Sequence, residues 1–101
     1  MKKKFAVAMD TNSKSGNEEF KEYIRENGYG WWNRINGFWL LVDSNGELSA
    51  SELSTDLDEF FPGARRLVIE LKEDEGTWSG YGPNNEDKNM FTWIKKNWTK
   101  P

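Results

Sequence analysis

Hydrophobic positions near the middle of the chain form two strand-like runs. These runs cover positions 31–35 and 38–43, and the pair Asn36-Gly37 separates them. Asn-Gly between two apolar runs is the strongest short-range signal for a two-residue hairpin turn. The second run is apolar on both faces, which is typical of a central strand covered on both sides. We therefore predict two neighbouring antiparallel strands, with Trp39 and Leu41 on one face and Phe38, Leu40 and Val42 on the other.

The segment before the hairpin predicts a strand followed by a helix. Positions 5–9 are a short apolar run bounded by lysines and by Asp10, as in a buried strand. Positions 18–27 predict a helix that ends at Asn27-Gly28, because apolar side chains recur there at helical spacing. These side chains are Phe20, Tyr23 and Ile24. Ser15 with Glu18 has the spacing of a capping box, and Asn17 is the alternative cap.

The segment after the hairpin predicts a second helix and a fourth strand. Ser49 and Glu52 make a capping box, and Leu48 and Leu53 stand at the positions of a hydrophobic staple. The inward stripe of this helix is Leu53, Leu57, Phe60 and Phe61, and Pro62-Gly63 ends it. Positions 65–72 then alternate as a strand. We expect Leu67, Ile69 and Leu71 to point inward and Arg66, Val68 and Glu70 to point outward.

The last thirty residues predict smaller elements. Positions 73–76 read as a turn, and positions 77–81 add a short edge strand. The spacing of four apolar residues predicts a C-terminal helix. These residues are Met90, Phe91, Ile94 and Trp98.

This order of elements predicts one α+β domain over residues 1–101. Two strand-helix-strand units joined by a hairpin give the βαββαβ pattern of the ferredoxin-like plait. Right-handed crossovers place both main helices on one face of the sheet. Because the central strand is apolar on both sides, the other face is apolar too, and it must be solvated, covered by the third helix or buried against a partner. An uncovered apolar face of that size marks an interaction surface.

Composition narrows the chemistry that the chain can perform. The 101 residues include no cysteine and no histidine, and the net charge is -3. Histidine bases, thiolate nucleophiles and the commonest zinc ligands are therefore excluded. The acidic balance does not attract nucleic acid or anionic membrane. No apolar run is long enough for a signal peptide core or a membrane span, so we expect a cytoplasmic protein.

The order of tryptophan and glycine motifs resembles a known group of proteins. The motifs are Gly30-Trp31-Trp32, Phe38-Trp39-Leu40-Leu41, Leu67-Val68-Ile69-Glu70-Leu71, Gly76-Thr77-Trp78-Ser79-Gly80-Tyr81-Gly82 and Trp93-Ile94-Lys95. Together they resemble the SinR-like family of small bacterial and phage proteins, and the resemblance covers nearly the whole chain, from Phe5 to Trp98. The resemblance implies a ferredoxin-like fold akin to the small CRISPR adaptation nuclease subunit and the virulence-associated ribonuclease toxins. It also implies homodimers formed through the sheets.

The same resemblance makes Asp10 a candidate catalytic and metal-binding residue. In the related nucleases an aspartate ends the first strand, and paired copies in a dimer are proposed to hold a divalent metal. Two such carboxylates and Mg²⁺ could orient water against a phosphodiester without histidine. The structural alternative is that Asp10 leaves the strand through an Asx-type turn and satisfies local backbone donors. No second acidic residue near Asp10 has a spacing in the sequence that indicates a shared metal site.

The tryptophans and the acidic runs also have two interpretations. Trp31, Trp32, Trp39 and Trp78 could stack on bases, as aromatic residues of RNA-binding sheets do. Such sheets interleave basic residues, which are few here, so core or dimer packing is favoured. The acidic runs are typical of solvated helix faces and turns, although they could chelate a metal or mimic phosphate. They are Glu18-Glu19, Asp56-Asp58-Glu59 and Glu73-Asp74-Glu75.

We therefore predict a small non-catalytic interaction protein, a homodimer that binds a protein partner through its sheet surface without a cofactor. The surface residues that we expect are Trp31, Trp32, Arg34, Trp39, Leu41, Arg66, Trp78 and Tyr81. One alternative is a Mg²⁺-dependent nuclease that uses Asp10. The other is an acidic phage-borne inhibitor of a nucleic-acid-binding protein.

Overall fold

The computed structural model describes residues 2–11, 13–71 and 92–98. Four strands and three helical segments lie in these ranges. They are β1 (Lys3–Met9), α1 (Lys14–Asn27), β2 (Gly30–Ile35), β3 (Phe38–Asp43), α2 (Ala50–Phe60), β4 (Arg66–Leu71) and the π-helical α3 (Ile94–Trp98). The predicted turn at 73–76 and edge strand at 77–81 lie outside the described residues, as do Met90 and Phe91. No described helix has the length and apolar character needed to cross a membrane.

The four strands form one antiparallel sheet in the order β2-β3-β1-β4. β1 lies in the middle, with Val7 opposite Trp39 of β3 on one side and opposite Val68 of β4 on the other. All three neighbouring pairs of strands are antiparallel. The prediction of an α+β protein with a four-stranded antiparallel sheet and two main helices is confirmed.

The hairpin between β2 and β3 turns at Asn36-Gly37, as predicted. Gly37 has a φ of 76°, a conformation that favours glycine. The register shifts by one residue between Trp32 and Ile35, so β2 contains a β-bulge at positions 33–34. The side-chain amide of Asn33 donates to the carbonyl oxygens of Ile35 and Phe38, at 3.1 and 2.7 Å. Asn33 thereby connects its side chain to the backbone of both strands beside the turn.

Helix α1 begins four residues before the predicted start. Its N-cap is Ser13, whose hydroxyl accepts from the N–H of Gly16 at 3.1 Å, so neither Ser15 nor Asn17 caps it. Gly16 lies where α1 meets the end of α2. A Cβ atom there would lie 2.5 Å from the carbonyl oxygen of Phe60 and 2.7 Å from the ring of Phe61. Close packing of the two helices therefore explains a glycine within the first turn.

Helix α2 has the predicted capping box. The Ser49 hydroxyl accepts from the N–H of Glu52, and the Glu52 carboxylate accepts from the N–H of Ser49. Leu48 and Leu53 are both buried in the main core, in agreement with the predicted staple. Tyr23 of α1 donates its hydroxyl to Asp56 of α2 at 2.7 Å and so connects the two helices.

The main core lies between the sheet and both helices. Its largest fully buried side chain is Trp39 of β3, whose ring packs edge-on against Phe20 of α1 at a centroid distance of 4.7 Å. The other buried members come from β1, β3, α1, α2 and the segments next to α2. They are Phe5, Val7, Ile24, Leu41, Leu48, Leu53, Leu57 and Phe61.

Strand β4 has the opposite orientation to the predicted one. Val68 packs against the main core, whereas Leu67, Ile69 and Leu71 are exposed. Arg66 lies on the side of α2, since its Nε donates to the carbonyl oxygen of Ser54 at 2.8 Å. This contact and the pairing of Val68 with Val7 fix which face of β4 turns inward. The expectation that the two leucines and the isoleucine point inward was therefore wrong.

A second, smaller core lies on the other face of the sheet. Trp32, Leu40 and Ile94 are buried there, and Ala6, Phe38, Trp93 and Trp98 pack around them. The ammonium group of Lys4 lies 5.6 Å from the ring centroid of Trp98, within the range of a cation-π interaction. Helix α3 therefore covers the part of this face formed by β2, β3 and β1.

Replacing Trp39 with alanine should lower the free energy of unfolding by roughly 3–5 kcal/mol, because the change removes the largest buried ring from the main core. Chemical denaturation of both proteins measures this loss. Trp31→Ala is the matched control, since Trp31 is partly exposed at the edge of the same face, and it should cost less than half as much. Equal losses for the two variants would contradict this assignment of the core.

Candidate interaction surface

Three large aliphatic side chains are exposed next to one another on the sheet face that lies away from α1 and α2. Leu67, Ile69 and Leu71 are 60%, 46% and 38% exposed, and we call them the β4 strip. They stand opposite Ala8, Ala6 and Lys4 of β1. Helix α3 packs farther along the sheet, around Trp32 and Leu40. Adjacent exposed aliphatic side chains of this kind are uncommon on a protein surface that contacts only water.

β4 is a regular edge strand in the described part of the chain. Its register with β1 runs without a shift from Leu71 to Arg66. It contains no proline, and Glu70 is exposed beside the strip. Proteins protect exposed strand edges from pairing by bulges, prolines or charged residues that point inward. β4 has no bulge and no proline among its six residues, and its protecting charges are Arg66 on the side of α2 and Glu70.

The opposite edge, β2, is protected by comparison. Its bulge interrupts the ladder at positions 33–34. Trp31 at this edge is in contact with the ring of Trp39 at a centroid distance of 5.7 Å, and the ammonium of Lys21 lies 5.5 Å from its ring. Ile35 is exposed at the end of the strand. In the described part of the chain the two edges of the sheet therefore differ, since β2 contains a bulge and β4 is regular.

The residues that the sequence predicted to form one surface lie at separate places in the structure. Trp39 and Leu41 are fully buried between the sheet and the helices, so neither is accessible, which corrects the expectation that they lie on a surface. The reason is that the Trp39 face of β3 is the face that α1 and α2 cover. Trp32 is buried on the other face with Ile94 of α3.

The remaining predicted surface residues have varied positions. Arg66 is held on the α2 side by Ser54 and lies 3.5 Å from the carboxylate of Asp58. Trp31 is partly exposed at the β2 edge, and Arg34 is exposed in the bulge. Trp78 and Tyr81 lie outside the described residues. The sequence did not indicate the β4 strip, because period-two alternation shows which residues share a face but not which face is covered.

Asp10 is paired with Arg65 at the end of β1. Its carboxylate accepts from the backbone N–H of Arg65 at 3.0 Å and from the guanidinium Nε at 2.7 Å. The hydrogen bond from the Arg65 side chain holds the pKa of Asp10 below its usual value. Both carboxylate oxygens thus serve to join β1 to the start of β4. The described residues contain no group of three or more acidic or other metal-ligating side chains, and metal binding by Asp10 stays a prediction.

Asp43 is a buried carboxylate that sequence reasoning missed. It is 3% exposed at the end of β3 and accepts from the N–H groups of Asn45, Glu47 and Leu48 at 3.0, 2.8 and 2.8 Å. Burial raises the pKa of Asp43, but the backbone hydrogen bonds outweigh it and leave the pKa below its usual value. The signal in the sequence is Asp43-Ser44-Asn45-Gly46, a run typical of a turn in which aspartate accepts from the following backbone. Its role is to shape the loop that leads into α2.

Comparison with models of known protein families, with curated proteins and with solved structures finds no match to this chain. The resemblance to the SinR-like family therefore stays a prediction. The candidate interaction surface is therefore described from the positions and exposure of its own residues.

Asp43→Asn should lower the free energy of unfolding at pH 7 by about 1–3 kcal/mol, because an amide cannot reproduce the charged acceptor for three N–H groups. A carboxylate with a lowered pKa stabilises the fold above its unfolded pKa of about 3.9, and this contribution is lost as the pH falls through the folded pKa. The difference between the two proteins should therefore shrink below about pH 4. Urea denaturation between pH 7 and pH 2.5 measures it.

The control for this experiment is Glu59→Gln, which removes an exposed carboxylate from α2. This change should alter the stability at pH 7 by no more than about 0.5 kcal/mol. A loss for Asp43→Asn that keeps the same size at pH 2.5 would contradict the assignment of the ionised carboxylate as the stabilising form.

Proposed function

We propose that the protein is a small, non-catalytic interaction protein that forms a homodimer and binds a protein partner through its sheet surface. The observation that carries this proposal is the exposure of Leu67, Ile69 and Leu71 on β4, which is an edge strand of the sheet that the described residues form. Burying these side chains against a partner removes apolar surface from water, at a gain of about 25 cal/mol per Å². We expect the protein to act in the cytoplasm.

We further propose that the fold is the ferredoxin-like plait. The strand order β2-β3-β1-β4 supports this assignment. Helices that follow β1 and β3 and share one core on a single face of the sheet support it as well. In this arrangement β2 and β4 are the two edges.

The described titratable groups with shifted pKa values support a non-catalytic role. Asp10 is paired with Arg65, and Asp43 is held by its loop. Burial raises the pKa of Tyr23, as does its hydrogen bond to Asp56. In these three groups burial or hydrogen bonds within the fold account for the pKa shift, which is the structural explanation for perturbed groups.

The alternative functions receive less support from the geometry. A Mg²⁺-dependent nuclease would need the Asp10 carboxylate as a ligand, and Arg65 engages both of its oxygens. An inhibitor that imitates nucleic acid would use exposed acidic residues such as Glu19 of α1 and Glu59 of α2. Both alternatives stay predictions from the sequence.

The proposed function predicts that the double variant Leu67→Lys/Ile69→Lys weakens self-association. Two ammonium groups in the β4 strip would have to be desolvated in the interface, so the dissociation constant should rise by roughly tenfold or more. Sedimentation velocity over a range of concentrations measures the dissociation constant for wild type and variant. Both side chains are exposed, so the free energy of unfolding of the monomer should change little.

The matched control is Ile35→Lys, which alters an equally exposed aliphatic side chain on the opposite edge and should leave the dissociation constant unchanged. A wild-type protein that stays monomeric at high concentration would overturn the homodimer. Equal effects of the β2 and β4 substitutions would remove the β4 strip from the interface.

A further inference from the structure

We propose that Asn36 is a site of spontaneous deamidation, and that the isoaspartate formed there loosens the hairpin between β2 and β3. The sequence contains three Asn-Gly pairs, which are Asn27-Gly28, Asn36-Gly37 and Asn45-Gly46. Glycine after asparagine favours this reaction, because it has no side chain that hinders attack by its own nitrogen. All three pairs lie in the described part of the chain, and their surroundings differ. The inference is independent of the proposed function.

The reaction takes place between the asparagine side chain and the peptide group that follows it. The glycine nitrogen loses its proton to water or hydroxide and attacks the side-chain carbonyl carbon. A C–N bond forms, the bond to the side-chain amide nitrogen breaks, and this nitrogen leaves as ammonia with a proton from water. Water then hydrolyses the succinimide ring at either carbonyl group, which gives aspartate or isoaspartate. The rate therefore depends on how easily the glycine nitrogen loses its proton and reaches the side chain.

The peptide group between Asn36 and Gly37 is the central peptide of the hairpin turn. Ile35 lies opposite Phe38, so the two turn residues are outside the ladder. Gly37 accepts from the N–H of Met9 at 2.7 Å, whereas its own N–H donates to none of the described residues. Asn36 is exposed. At this pair no hydrogen bond within the described part of the chain has to break before the glycine nitrogen reacts.

The pair Asn27-Gly28 is held by the end of α1. The side-chain amide of Asn27 donates to the carbonyl oxygen of Tyr23 at 2.8 Å. The N–H of Gly28 donates to the carbonyl oxygen of Arg25 at 3.2 Å. The negative end of the helix dipole also opposes the loss of a proton from this nitrogen. We therefore expect folding to slow deamidation of Asn27.

The pair Asn45-Gly46 lies beside the buried carboxylate of Asp43. The N–H of Gly46 donates to the carbonyl oxygen of Asp43 at 3.2 Å. The carboxylate accepts from the N–H of Asn45 at 3.0 Å, so its negative charge is close to this loop backbone. A neighbouring negative charge opposes the formation of an anionic nitrogen. Folding should therefore slow deamidation of Asn45 as well.

Isoaspartate at position 36 changes the hairpin, because its side-chain carbon becomes part of the main chain. The turn has two residues between Ile35 and Phe38, and one additional backbone atom does not fit this pairing. Gly37 also lies against β1, since a Cβ atom on it would be 2.4 Å from the carbonyl oxygen of Met9. A longer turn therefore displaces Gly37 from β1 and weakens the register of β3. Aspartate, the other product, keeps the main chain at its normal length.

Peptide mapping by mass spectrometry measures deamidation at each pair while the full chain is incubated at mildly alkaline pH. We expect Asn36 of the folded protein to react several times faster than Asn27 and Asn45, at a rate that rises with pH. The urea-unfolded chain is the control for local sequence, and the three asparagines should react there at similar rates. Asn36 should therefore be the asparagine of the three that folding slows least.

A second measurement compares the stability of the two products. The form with isoaspartate at position 36, separated by chromatography, should have an equilibrium constant for unfolding roughly tenfold larger than that of fresh protein. Asn36→Asp has the same change in charge with a normal main chain, and its constant should stay within about twofold. Asn36→Gln reacts slowly because a larger ring must form, so its stability should not change during the incubation.

The outcomes separate the site from its effect on the hairpin. Faster reaction of Asn27 or Asn45 than of Asn36 in the folded protein would overturn the assignment of the site, and so would equal slowing of all three by folding. An isoaspartate form that unfolds with the same equilibrium constant as Asn36→Asp would overturn the loosening of the hairpin. Loss of stability by Asn36→Gln during the incubation would also overturn it, because the loss would then have another origin.

Discussion

The register of β3 between β1 and β2 is the constraint on which the rest of the structure depends. Side chains alternate between faces with a period of two, so a slip by one residue would move Trp39 from the main core to the opposite face. Three features fix the register: the turn at Asn36-Gly37, the bulge at positions 33–34 and the pairing of Trp39 with Val7. With Trp39 in place, α1 and α2 have an apolar surface to cover, and the other face is left to α3 and the β4 strip.

Features of the fold that depend on neighbouring residues were predictable from the sequence. Asn36-Gly37 and the Ser49-Glu52 capping box act through local hydrogen bonds and backbone conformation, and both are observed where they were expected. The start of α1 was missed because glycine is unfavourable within a helix. At Gly16 the approach of Phe60 and Phe61 outweighs that preference, and no local pattern contains this information.

The candidate site shows the same division between local and long-range information. An apolar face opposite the main helices was predictable, because β3 is apolar on both sides. Which of its residues would be exposed was not, since the answer depends on α3 covering Trp32 and Leu40 and on Arg66 reaching Ser54. Asp10 shows a related limit, because its partner Arg65 is 55 residues away in the chain. The residues near Asp10 in the sequence therefore could not indicate its ion pair with Arg65.

The glycine at position 16 has a consequence for the way the two main helices cover the sheet. A Cβ atom at this point would lie 2.5 Å from the Phe60 carbonyl oxygen and 2.7 Å from the Phe61 ring. Any side chain larger than hydrogen at position 16 would therefore force the end of α2 away from the start of α1. The two helices could then no longer close over Phe20 and Trp39 in the same way, although neither ring had been altered.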